Sequence, residues 1–183
     1  VNIINEYLNI KINSNFLINK ASINSKDIKK NNIFFGIKGK NIDGNKFADE
    51  ALKKKASICI LEKNYSKKNP RKIFVKDTLK TFSNLSCIIR KSLGTPIVAI
   101  TGSAGKTSLK NLIKNLLQNF GKTYYSPKSF NNHLGVPLSL SNLSYDDKFG
   151  IFEVGMSKAG EINKLTKLIK PQIAVITNIG EAH

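Results

Sequence analysis

Short apolar runs and amphipathic runs follow one another along the chain, separated by glycine-rich or polar breaks. Asn32-Ile33-Phe34-Phe35-Gly36-Ile37 predicts a strand, and Lys38 to Gly44 after it a turn-rich loop. Phe47 to Lys55 predicts a helix, with Phe47, Ala51 and Leu52 on one side. Ser57–Leu61 and Lys72–Val75 predict two more strands. In Thr78–Leu93, Leu79, Phe82, Leu85 and Ile89 recur at three- and four-residue spacing, which predicts a long helix. Gly94-Thr95-Pro96 ends it and divides residues 1–94 from 95–183.

Beyond Pro96 the alternation becomes regular. Strands are expected at 97–100, 123–125, 149–154 and 173–177, and helices at 107–120, from Gly135 to Leu143, and at 159–169. Alternating strands and helices imply a mostly parallel sheet with right-handed crossovers. The fold class is therefore α/β: a small N-terminal α/β domain followed by a truncated P-loop-type central domain. Ligands of such sheets bind beyond the carboxyl ends of the strands. Those ends carry Thr101-Gly102, Ser126, Glu153-Val154-Gly155 and Asn178-Ile179-Gly180, which are expected to converge on one cleft.

Composition narrows the class. With 183 residues, 40% hydrophobic and 8% aromatic, the chain can bury a real core. No apolar run approaches the roughly 20 residues that span a bilayer. Val1 to Lys11 has Asn, Glu and Lys scattered through it, unlike a signal peptide. The absent initiator Met and the abrupt end at His183 give the expectation of a fragment. A net charge of +18 raises nucleic-acid binding, but the lysines are spread over nearly every element without an arginine cluster or aromatic platform. No nucleic-acid partner is expected. Cys59 and Cys87 sit in apolar surroundings without metal-ligand spacing, which reads as two reduced core thiols and favours the cytoplasm.

Candidate chemistry centres on Thr101-Gly102-Ser103-Ala104-Gly105-Lys106-Thr107-Ser108, between a strand and a helix. Gly102 and Gly105 would let backbone N–H groups face an anion at the positive end of the helix. Lys106 would reach the β/γ-phosphates of a nucleotide, and Thr107 offers a hard oxygen to Mg²⁺. The same residues could form a plain strand-to-helix turn, with Lys106 exposed and Thr107 as a cap. Glu153 is either a solvated strand end or a metal ligand facing this loop. His183, beside the same cleft, is open to a solvated or a functional role. Asn131 and Asn132, before His133, could hold a polar ligand.

Together these residues resemble the Mur ligases, ATP-dependent amide-forming enzymes of peptidoglycan precursor synthesis. Thr101 to Thr107 is similar to the family's short phosphate loop, which usually has Asn where Ala104 stands. Asn131-Asn132-His133-Leu134-Gly135-Val136-Pro137, Glu153-Val154-Gly155-Met156-Ser157 and Gly160-Glu161-Ile162 resemble the member that adds D-alanyl-D-alanine to UDP-N-acetylmuramoyl-tripeptide. Thr177 to His183 completes the match. Asn24-Ser25-Lys26, where the family usually has Asp-Ser-Arg, together with Ile33 to Gly39 and Asp43 to Phe47, resembles the UDP-sugar-peptide-binding domain.

The resemblance implies an acyl-phosphate mechanism with ATP and Mg²⁺ as cofactors, and the muramoyl tripeptide and D-alanyl-D-alanine as substrates. It implies Lys106, Glu153 and His183 as catalytic residues, Thr107, Glu153 and His183 as metal ligands, and Thr101 to Ser108 around ATP. Ser25, Lys26, Gly44, Asn131, Asn132 and Ser157 would bind substrate. It also implies a monomer, and a carbamylated lysine and a dipeptide-binding domain beyond His183, so these residues alone are expected to be inactive. Another Mur-type ligase, a folate polyglutamate ligase and a generic P-loop protein are the alternatives. The Asp43-Gly44 unit ahead of the loop argues against the folate enzyme, which begins close to its nucleotide loop.

Overall fold

The computed structural model describes residues 2–8, 18–65, 67–127 and 130–180. The chain forms two compact units, Val1–Leu85 and Ser86–His183.

The first unit holds a parallel four-stranded sheet of β1 (Ala21–Ser22), β2 (Ile33–Phe35), β3 (Ile58–Leu61) and β4 (Lys72–Phe74), in that spatial order. Every residue of β2 and β3 is buried, as expected of parallel strands covered on both faces. Helix α2 (Ala48–Lys53) closes one face with Ala48, Ala51 and Leu52 against Phe34, Cys59 and Leu61. The Phe35 and Phe82 rings lie 4.6 Å apart. Helix α1 (Asn2–Leu8), β1 and a 3-10 turn at Ser25–Asp27 are elements the hydrophobic pattern did not announce. The boundary between units falls inside α3 (Thr78–Ser92), upstream of the Gly94-Thr95-Pro96 break.

The last turn of α3 belongs with the second unit because Arg90, 7% exposed, is fastened there. Its guanidinium donates to the carbonyls of Ile169, Leu93 and Lys170 and to Gln172 Oε1, at 2.7 to 3.3 Å. Gln172 Oε1 also accepts the Ile97 N–H at 2.7 Å, which ties this cluster to the start of the next strand.

That strand is β5 (Ile97–Thr101), followed by α4 (Lys106–Leu117), β6 (Thr123–Tyr125), α5 (Gly135–Ser141), β7 (Phe149–Glu153), α6 (Glu161–Ile169) and β8 (Ile173–Ile176). The four strands are all parallel, in the order β6-β7-β5-β8. Ile97, Ala99, Val136, Leu140, Phe152, Val154 and Leu165 form the core. β8 pairs with β5 only among the described residues, and its Ile173 and Ile176 are exposed.

Two details depart from the expected pattern. Helix α4 ends at Leu117 rather than Phe120, and its apolar positions Leu112 and Leu116, with Phe120 beyond, face solvent while Lys110 is buried. Cys59 is a core thiol, its Sγ 3.6 Å from the Ala48 carbonyl, but Cys87 is only half-buried.

Candidate active site

β5 ends at Thr101, and the chain turns through Gly102 and Gly105, whose φ angles are +134° and +78°. Side chains rarely adopt either conformation. A methyl at Gly102 would run into the Thr177 hydroxyl and lie 3.0 Å from the backbone N of Asn178. The loop is that close to the exit of β8, and it is bonded to it. Ser103 N–H donates to the Asn178 carbonyl at 3.3 Å, and Ala104 N–H to Asn178 Oδ1 at 2.9 Å. The Ser103 hydroxyl donates to the Gly180 carbonyl at 2.8 Å, and the Thr177 hydroxyl reaches the Ala104 carbonyl at 2.5 Å.

This corrects one expectation. The N–H groups of Ser103 and Ala104 are engaged by the exit of β8 rather than turned outward to an anion. What remains is the first turn of α4, whose N–H groups have no intrahelical acceptor and which carries the positive end of the helix. Lys106 folds over the loop, with Nζ donating to the Gly102 carbonyl at 2.6 Å.

Opposite the loop, Glu153 is the last residue of β7, paired in register with Ile100 of β5. It is 2% exposed, so it is not a solvated strand end. Its Oε2 accepts the Thr107 hydroxyl at 2.9 Å and lies 3.2 Å from Lys110 Nζ. Its Oε1 accepts from Asn131 Nδ2 at 3.1 Å, and its backbone N–H donates to the Ser126 hydroxyl at 3.1 Å. Thr107 therefore does more than cap a helix: its hydroxyl joins the loop to a buried carboxylate.

Asn131 reaches Glu153 because the residue facing it has no side chain. Gly155 N–H donates to the Asn131 carbonyl at 2.7 Å, and a methyl on Gly155 would sit 2.9 Å from Asn131 Oδ1. Asn132 is engaged differently. Its Oδ1 accepts from the N–H groups of Leu134 and Gly135 at 3.0 and 2.9 Å, holding the entry to α5. Ser157 N–H donates to Glu161 Oε2 at 2.8 Å, fixing the start of α6. Gly102, Ser103, Lys106, Asn131, Gly155, Met156 and Ser157 line one cleft of about 190 Å³.

The Mur ligase middle domain family matches residues 100–183, the span from the end of β5 to the last residue. The UDP-N-acetylmuramoyl-tripeptide–D-alanyl-D-alanine ligase of Rickettsia prowazekii is 37% identical over 96% of this chain and 39% of its own length. A MurF ligase of Thermotoga maritima, solved in complex with ADP, superposes with a TM-score of 0.78 at 32% identity, over 93% of this chain and 40% of that one. Residues 100–183 carry the Mur ligase middle domain. A MurF from Acinetobacter baumannii matches all of this chain with a TM-score of 0.87 at 25% identity, over 41% of its own length. The chain thus spans about two fifths of the relatives it matches, as the 39% for the Rickettsia enzyme illustrates.

The remaining expected residues fall elsewhere. Ser25, Lys26 and Gly44 lie in the first unit. Ser25 is buried and donates to Glu50 Oε2 at 3.0 Å, while Lys26 is exposed and its carbonyl accepts from Lys54 Nζ at 3.2 Å. Gly44 is pressed against the chain, since a methyl there would lie 2.5 Å from the Ile37 carbonyl oxygen. Thr101 and Ser108 flank the loop on β5 and α4, and His133 is exposed. His183 lies outside the described residues. Among those described, no group of three or more His, Cys, Asp or Glu side chains is arranged to hold a metal ion.

Sequence reasoning missed Lys110, and it named Ser126, Thr177 and Asn178 without their partners. Lys110 carries a readable signal, its spacing of four residues from Lys106 and three from Thr107, which puts all three on one helix face. The other three lie at strand exits, where the sequence gives position but not partner.

Proposed function

We propose that the protein containing this chain is an ATP-dependent amide ligase that joins D-alanyl-D-alanine to UDP-N-acetylmuramoyl-tripeptide in peptidoglycan precursor synthesis. The observation that carries this reading is the Thr107 hydroxyl on the buried Glu153 carboxylate, 2.9 Å apart, at the foot of the phosphate loop. The printed activity of the Rickettsia relative and the ADP held by the Thermotoga one support it. In this reading residues 1–94 bind the UDP-sugar-peptide through Ser25, Lys26 and Gly44, and residues 95–183 begin the ATP-binding domain.

The reaction brings two anions together, so cationic clamping dominates. A carboxylate oxygen of the tripeptide attacks the γ-phosphorus of ATP, the bond to the ADP oxygen breaks, and an acyl phosphate forms. The dipeptide amine then attacks the acyl carbon, phosphate leaves, and the nitrogen gives up a proton. Lys106 leaves the Gly102 carbonyl to meet the transferring phosphoryl group, and the first turn of α4 supplies N–H donors. Asn131 and Ser157 position the substrate across the cleft. Asn132 keeps the loop that presents Asn131 in shape.

Thr107 and Glu153 fit a hard cation, since Mg²⁺ is held through one or two carboxylates with phosphate oxygens and water completing its shell. Bound there, Mg²⁺ would neutralise phosphate charge. His183 is assigned a second metal on resemblance. The reading takes the enzyme to be a cytoplasmic monomer.

The test is phosphate release by the full-length protein given ATP, the muramoyl tripeptide and Mg²⁺. Release that depends on D-alanyl-D-alanine is expected, and release indifferent to the dipeptide would overturn the acceptor assignment. Lys106→Ala should lower the rate by about 100- to 1,000-fold, the cost of losing one main charge-stabilising donor. Near-normal turnover would refute the role of Lys106.

A further inference from the structure

Lys110 has no part in the mechanism above, yet its side chain is only 3% exposed, as is that of Glu153 beside it. A buried ion pair gives little net stability compared with apolar side chains of the same volume. Stability alone therefore does not account for a lysine at this position, where the helix packs on β7.

The acceptor positions of Glu153 give a reason. A carboxylate offers about four lone-pair positions, two on each oxygen. Thr107 and Lys110 both approach Oε2, at 2.9 and 3.2 Å, which fills it. Asn131 takes one position on Oε1 at 3.1 Å. The carboxylate is thus clamped against rotation by donors on two sides, with one acceptor position, on Oε1, left by the described residues. Thr107 keeps its own lone pairs while its proton stays on Glu153. The clamp and the phosphate loop share one rigid rod, because Lys110 follows Lys106 by one turn of α4.

We propose that Lys110 is a positioning residue, which pins Oε2 of Glu153 so that the remaining Oε1 position and the Thr107 oxygen stand ready for the cation that accompanies a nucleotide. The inference rests on the nucleotide-site reading above. Groups of this kind, one step removed from the metal, commonly change metal affinity by roughly 10- to 100-fold when removed.

The experiment is calorimetric titration of the full-length protein with ADP, once with Mg²⁺ and once with a chelator. The readout is the ratio of the two affinities. In Lys110→Met, chelator-condition affinity should stay within about twofold of the unsubstituted protein, while the Mg²⁺ enhancement falls by about tenfold or more. In a Glu153→Gln background, where the enhancement is already reduced, Lys110→Met should add nothing. An unchanged or larger enhancement in Lys110→Met, or an equal further loss in the Glu153→Gln background, would overturn the proposal. If circular dichroism shows Lys110→Met to be unfolded, Lys110→Gln replaces it, since it keeps an N–H donor, and a smaller loss is expected. Failure of the unsubstituted protein to bind ADP is a separate result. It would refute the nucleotide site, and the role of Lys110 with it.

Discussion

Replacing Gly155 by alanine tests how the carboxylate and its neighbours are assembled. A methyl there would lie 2.9 Å from both Cγ and Oδ1 of Asn131 and 3.1 Å from its carbonyl oxygen. Asn131 cannot yield freely, because its Nδ2 donates to Glu153 at 3.1 Å and its carbonyl accepts the Gly155 N–H at 2.7 Å. Relief costs one or both hydrogen bonds, at about 1 kcal/mol each, plus overpacking of roughly 1–3 kcal/mol. The sum is about 2–5 kcal/mol, a local destabilisation of roughly 30- to a few thousandfold at about 1.4 kcal/mol per factor of ten. Native-state hydrogen exchange over 149–157 reads it directly, as lost protection at the end of β7. Gly94→Ala is the control, since a methyl there meets nothing within 4 Å. It should be neutral or gain roughly 0.4–1 kcal/mol through the unfolded chain. Equal protection in the two variants would refute the claim that Gly155 is required by the approach of Asn131.

Further outcomes are expected at Asn45 and at the two cysteines. Asn45, 2% exposed, accepts from the N–H groups of Glu62 and Lys63 at 2.7 and 3.3 Å and donates to Asp43 at 2.6 Å, so Asn45→Ala should cost about 2–4 kcal/mol in urea unfolding, and a loss below about 0.5 kcal/mol would contradict that latch. The Asn45 amide, with the Tyr65 hydroxyl helping, also holds the Asp43 carboxyl below its ordinary value. Its stabilising effect is therefore present above the ordinary carboxylate range and lost as pH falls through the lowered value, and Asn45→Ala should shrink this acid-dependent loss. Burial pushes the Cys59 thiol from 9.0 up to about 12, so its contribution is complete below pH 9 and disappears as pH rises toward 12. Burial also raises Cys87, though less completely covered. A disulfide reagent at mildly alkaline pH should modify Cys87 first and Cys59 only on unfolding, as mass spectrometry of the labelled peptides would show. Equal rates would refute the burial argument.

Much of the second unit is legible because its strands are short, largely apolar runs ending at small or polar residues. Ile97–Thr101 and Phe149–Glu153 fall within a residue or two of their expected limits. The strand exits do converge: Ser126 meets Glu153, and Asn178 meets Ala104. What the pattern hid has physical causes. β1 is two residues long, too short for any period to register. On α4 the apolar stripe of Leu112 and Leu116 is exposed, whereas Lys110 faces β7. An amphipathic reading puts lysine outward by default, and only the carboxylate at the end of β7 reverses that preference. The sequence points the N–H groups of the loop at an anion because backbone turns leave them unpaired, and nothing in it says that Asn178 reaches those of Ser103 and Ala104.

These contacts make the site conditional on strand order. Thr107 and Glu153 are far apart in sequence, and they meet because β7 lies beside β5 with Glu153 opposite Ile100, just before the loop begins. β8 flanks β5 on the other side, with Thr101 opposite Ile176, and this brings Thr177 and Asn178 under the loop. The loop from Gly102 to Gly105 and the helix start after it are therefore clasped by both neighbours of the strand they leave, the carboxylate on one side and the amide on the other. A loop held this way has its shape before any ligand arrives, and Lys106, resting on the Gly102 carbonyl, is the part left to move. Under the proposed nucleotide-site reading, binding energy would go into drawing one lysine across the cleft rather than into ordering a flexible turn, which is the arrangement a phosphoryl-transfer site needs if its electrostatics are to favour the transition state over the bound substrate.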